Sequence, residues 1–147
     1  MDHDGAADPE PGAVSTGEPA GEVYDWFVRG RALLDAGDAA PAVQLLTRCA
    51  RVEPASRSIL ETLARAQFQA GQLTAAQESF GRLVEADPAD DYAQFGLGLT
   101  CRRLGDLRGA VEHLSLAVAM RPDLAHYGRE LSYARAAFRT PARREAL

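Results

Sequence analysis

Polar and apolar positions alternate with a helical period from residue 23 onward, and the pattern breaks at regular places. The stretches "ALLDAGDAAPAVQLL", "AQFQAGQLTAAQESF" and "CRRLGDLRGAVEHL" each close one amphipathic helix at a glycine and open another a few residues later. Gly37, Gly71 and Gly105 are evenly spaced along the chain. Pro54, Pro88 and Pro122 keep the same spacing, as do Ala42, Ala76 and Ala110. Three triples at one period define a repeat of helical hairpins. The first helices are predicted over 23–36, 57–70 and 91–104, and the second over 40–53, 74–87 and 108–121. Each first helix stops at its glycine, which accepts the left-handed backbone of a helix C-terminus. Pro41 falls in a first turn, where proline is tolerated. Thr74 and Gln77 have the spacing of a capping box. The three later prolines forbid continuation of the second helices, and the alanines allow close helix approach.

These positions resemble the tetratricopeptide repeat, whose signature is W-x2-L-G-x2-Y, then A-x3-F, then P over about 34 residues. The first block supplies Trp26, Gly30, Leu33, Ala42, Leu46 and Pro54, with Arg29 departing at the leucine position. The second supplies Leu60, Leu63, Ala64, Ala76, Phe80 and Pro88, with Gln67 where an aromatic is expected. The third supplies Leu97, Gly98, Cys101, Ala110, Leu114 and Pro122, with Gln94 in place of tryptophan. The resemblance implies an all-α, right-handed solenoid of three hairpins, 23–56, 57–90 and 91–124, followed by a capping helix over 125–139. A short basic tail, 140–147, follows the cap.

Composition changes the picture at the N-terminus. Residues 1–22 hold six of the chain's 21 acids and none of its 16 arginines. The other 15 acids face all 16 arginines, so the net charge of −5 belongs to the tail. That tail is rich in Gly, Pro, Ala and Ser, and is expected to be disordered. The repeat region is near neutral, which argues against nucleic acid as the partner. No apolar run reaches the roughly 18–20 residues of a membrane span. No secretory signal pattern is present, so a cytoplasmic protein that does not engage membranes is expected. The chain has no lysine, and its arginine and alanine content suits a GC-rich, bacterial coding sequence.

Candidate chemistry is sparse. "GLGLTCRRLGD", residues 96–106, has the glycines of a phosphate loop but follows the start of a helix rather than a strand. Gly98 and Cys101 are expected at packing positions, and Cys49 likewise. His3, His113 and His126 fall in separate elements, and no cysteine pair has metal-ligand spacing. No catalytic residue, metal or cofactor is assigned, and a non-enzymatic chain is expected.

The family resemblance implies a concave groove lined by the first helices. The carried-over partner-binding residues are Tyr24, Phe27 and Arg31 from the first repeat. The second contributes Glu61, Arg65 and Phe68, and the third Tyr92, Phe95, Arg102 and Arg103. Aromatics and arginine are the types enriched at binding hot spots. The implied function is an adaptor that binds a partner protein or peptide carrying acidic and apolar residues. The alternative is an assembly subunit that self-associates. The chaperone-tail clamp of some family members is not expected: its positions hold Phe27, Arg31, Thr62, Tyr92 and Gly96, of which only Arg31 is charged.

Overall fold

The computed structural model describes residues 21–140. The acidic tail expected over 1–22 lies outside the described residues apart from its last two, and the basic tail apart from Thr140. Among the described residues there are seven α-helices and no strand. In chain order they are α1 (Glu22–Asp35), α2 (Ala39–Val52), α3 (Arg57–Gln69), α4 (Leu73–Ala86), α5 (Asp91–Leu104), α6 (Leu107–Met120) and α7 (Ala125–Arg139). Each helix packs on the next, and α1, α3, α5 and α7 also touch in series. The result is an all-α solenoid with the odd-numbered helices side by side.

The helix ends follow from local chemistry. Gly37, Gly71 and Gly105 have φ of 89°, 78° and 87°. At each, two amides close back on the preceding helix, for example Gly37 N–H to the Leu34 carbonyl at 3.0 Å and Asp38 N–H to the Leu33 carbonyl at 2.9 Å. This is the doubled closure that glycine permits. Ser56 accepts from the Ile59 amide and Asp90 from the Ala93 amide, capping α3 and α5. The capping box expected at Thr74 is not formed. The fourth helix starts one residue earlier, at Leu73, with Gln72 at its N-cap and no side-chain bond there.

Two clusters make up the core. One joins Val23, Phe27, Leu34, Ala42, Val43, Leu46 and Cys49 to Ile59, Leu63 and Ala66. The other runs from Ala64, Ala76 and Phe80 through Leu97, Cys101 and Leu114 to Leu131 and Ala134. The third helix contributes to both, through different faces. Ala42, Ala76 and Ala110 are fully buried, as close helix approach requires. A Cβ on Gly98 would sit 2.7 Å from Leu114 Cγ, so glycine is what lets α5 meet α6 at that level.

The departures from the repeat signature are individually accommodated. Gln67 is buried and accepts a hydrogen bond from the Ser79 hydroxyl at 2.6 Å, a polar pair where an aromatic would pack. Gln94 donates to the Pro88 carbonyl at 3.1 Å and meets His113 Nδ1 at 2.9 Å. Arg29 is exposed on α1.

Candidate functional site

The side shared by α3, α5 and α7, here called the inner face after the groove the family resemblance implies, carries most of the candidate residues. Arg65, Phe68 and Gln69 come from α3, and Tyr92, Phe95, Gly96 and Leu99 from α5. Phe80 reaches between them from α4. These side chains enclose a hollow of about 200 Å³. Glycine at 96 is a steric requirement: a Cβ there would stand 2.3 Å from the Phe80 ring. The Phe80 and Tyr92 rings lie 6.4 Å apart at 60°.

Charges are sorted across this face. Glu61 is half-buried, and desolvation raises its carboxyl above the ordinary range, with Asp90 adding to the rise while Arg57 and Arg65 oppose it. Burial also raises the Tyr92 phenol, against the pull of Arg65. The N-terminal ends of α3 and α5 therefore gather carboxylates: Glu61, Asp90 and Asp91. Asp90 is tied to Arg57 at 2.6 Å, and Asp91 accepts from the Tyr127 hydroxyl at 2.7 Å. Toward the C-terminal ends stand Arg65, Arg102 and Arg103. The Arg103 guanidinium lies 5.3 Å from the centre of the Phe68 ring, a cation–π pair.

The ten residues selected from sequence do not form one surface. Glu61, Arg65, Phe68, Tyr92 and Phe95 come together, with Arg103 over Phe68. Phe27 does not offer a ring to a partner. It is 2% exposed, a member of the core between α1 and α3, and it is covered by Arg31 at 5.5 Å. Tyr24 is 41% exposed near the start of α1 and takes no part in the hollow. Arg102 is engaged with Glu130 of α7 at 2.6 Å, so its charge is already neutralised and it fastens the cap to α5.

Sequence reasoning also missed a participant. His126, on α7, meets the Phe95 ring edge-on at 5.4 Å, while Tyr127 stacks on Phe95 at 4.3 Å. The signal was present: His126 stands one repeat period after Tyr92. The capping helix thus keeps the repeat register and extends the inner face by one element.

The cysteines have no place in this face. Cys49 and Cys101 are buried and unpaired, and burial pushes both thiols above their usual range. Such thiols are poor nucleophiles at neutral pH. Among the described residues no group of three histidines, cysteines or acids could hold a metal ion. No helix there is long and apolar enough to cross a membrane.

No curated protein matches the chain in sequence. Solved structures do match its fold. The Sgt2 tetratricopeptide domain from Aspergillus fumigatus aligns with a TM-score of 0.76 at 23% identity, covering 85% of this chain and 84% of that one. MamA 41-end from Desulfovibrio magneticus RS-1 aligns with a TM-score of 0.76 at 22% identity, covering 79% and 66%. A further crystal structure of MamA gives 0.73 at 19% identity, covering 79% and 68%. At such identities the likeness concerns the fold. The family model of the tetratricopeptide repeat matches residues 27–76 and 61–125, two thirds of the sequence. The chain belongs to the tetratricopeptide repeat family.

Proposed function

We propose that the chain is a non-enzymatic adaptor that binds a partner polypeptide along the face formed by α3, α5 and α7. The observation that carries this is the hollow of about 200 Å³ between Phe68, Tyr92, Phe95 and Leu99, with Arg65 at its side. It would take one apolar side chain of the partner. Arg65 and Arg103 would meet carboxylates flanking that side chain, since charge-assisted bonds to arginine give both energy and orientation. Arg102 is left out of this set because Glu130 holds it. His126 joins it through its contact with Phe95.

The test is partner capture by the full chain from its native host, beside Arg65→Glu/Arg103→Glu. Both substitutions lie on the surface of the fold, and equal helicity by circular dichroism checks that it is kept. A protein held by the wild type and lost by the double variant supports the inner face as the site. A partner held equally by both sinks the proposal.

A second reading, self-association, is favoured by apolar residues left exposed near the C-terminal end. Tyr133 and Phe138 of α7 are 59% and 46% exposed. Sedimentation across a hundredfold range of concentration separates the two: a constant monomer mass rules out assembly by this route.

A further inference from the structure

Repeat register puts three different side chains at one address: Trp26, Leu60 and Gln94, each one period after the last. In the first repeat the Trp26 indole lies under the Arg48 guanidinium, 4.7 Å from the ring centre. In the third, the Gln94 amide reaches the Pro88 carbonyl and His113. In the second, Leu60 is too short to do either. A cavity of about 390 Å³ opens there, between the α2–α3 loop, the start of α3 and the end of α4. That volume lies at the lower end of the roughly 300–1,000 Å³ typical of small-ligand sites.

Leu60, Leu83 and Ala86 give the cavity an apolar lining, and Arg57, Arg82 and Asp87 stand around it. Arg82 holds in the second repeat the place that Arg48 holds in the first. A ring entering the cavity would meet Arg82 as Trp26 meets Arg48. The two guanidinia at the cavity differ in what they already hold. Arg57 is paired with Asp90 at 2.6 Å and Asp87 at 3.6 Å. Arg82 is exposed and has no ion pair among the described residues. Its charge is therefore available both to a ring face and to a carboxylate. The cavity shares no lining residue with the hollow on the inner face.

We propose that this cavity is a second docking site, which receives an aromatic side chain, an indole first, from a partner polypeptide that carries an acidic residue beside the ring. The chain's own termini do not supply it, because residues 1–20 and 141–147 contain no Phe, Tyr or Trp. The cavity copies the arrangement of the first repeat with the ring withheld, and the partner provides the ring. This site does not depend on the adaptor reading of the inner face.

The test uses two capped dipeptides, acetyl-Trp-Glu-amide and acetyl-Leu-Glu-amide, titrated into the isotope-labelled full chain. The tryptophan peptide is expected to shift the methyl signals of Leu60 and Leu83 saturably and to bind at least tenfold more tightly than the leucine peptide. Leu60→Trp places in the second repeat the ring the first repeat already carries, and is expected to abolish binding by filling the cavity. Arg82→Glu lies on the surface and is expected to weaken binding several-fold, whereas Arg65→Glu leaves it unchanged. Equal affinity for both peptides, or shifts confined to Phe95 and Leu99, would overturn the proposal. Should Leu60→Trp fail to fold, unchanged binding in Arg82→Glu overturns it alone. A dimer that Arg82→Glu dissolves would overturn it in another way, by naming a second copy's Tyr133 or Phe138 as the occupant.

Discussion

Two glycine-to-alanine substitutions in helix interiors are expected to move stability in opposite directions. An alanine in a helix gains about 0.8–1 kcal/mol over glycine from backbone entropy alone. At Gly81 of α4 a Cβ would meet nothing within 4 Å, so Gly81→Ala should keep most of that gain. At Gly96 the new Cβ would lie 2.3, 2.5 and 2.7 Å from three carbons of the Phe80 ring. That ring is 2% exposed and cannot swing into solvent. Overpacking costs about 1–3 kcal/mol, and contacts this short to a rigid buried ring place Gly96→Ala at the upper end. Subtracting the helix gain leaves a net loss of about 2 kcal/mol. The two variants should then differ by roughly 2.5–3 kcal/mol. With an m-value of about 2 kcal/mol/M, their urea midpoints should separate by about 1–1.5 M at constant slope. Phe80→Leu should relieve the clash, so the double variant Phe80→Leu/Gly96→Ala should lose at least about 1 kcal/mol less than the sum of the singles. A Gly96→Ala protein as stable as wild type, or strict additivity with Phe80→Leu, would refute the steric account.

Three further outcomes follow from other sites. Asp90 caps α5 through the Ala93 amide and pairs with Arg57; Asp90→Ala should cost about 1–2 kcal/mol in urea unfolding, discounted because Arg57 is partly in water, and Asp90→Asn, which can still cap, should cost less. Burial raises the Glu61 carboxyl in the folded state, so the folded form binds the extra proton, and stability falls as pH climbs from the unfolded value of 4.5 through the folded one. Glu61→Gln should therefore be more stable than wild type at pH 7, with the gap closing by pH 4; a gap that persists at pH 4 would show that charge is not its cause. Cys49 and Cys101 should resist a thiol reagent under native conditions and react only as fast as the chain opens; full labelling within seconds in buffer would contradict their burial.

Much of the fold could be read from spacing because backbone requirements recur with the repeat. Gly37, Gly71 and Gly105 adopt the same left-handed turn because every first helix must end in the same way. Cys101 and Gly98 were legible as packing positions for the same reason. What escaped was pairwise. Phe27 and Phe95 hold the same place in their repeats, yet Phe27 is sealed among Ile59, Leu63 and Leu34 while Phe95 is left partly open beside α7. Register gives a direction and says nothing of the neighbour's bulk. Arg102 has the register of an available arginine, but Glu130, 28 residues away, holds it. Thr74 has cap spacing, but Gln72 and Leu73 set the helix start one residue sooner. The empty space beside Leu60 could not be inferred from Leu60 itself. It needed the Trp26–Arg48 pair as a gauge.

The third helix lends one face to each of the two core clusters. Among the described residues, no helix touches one more than two places away along the chain. Under tension applied to its ends, such a chain has no single clasp to break. The seam at α3 divides the load, so extension should proceed as an unzipping with a pause, one cluster peeling away while the other still holds. A partner laid across α3 and α5 would rest on Phe68, Tyr92, Phe95 and Leu99, which all pack on the second cluster, and so would brace that side of the seam.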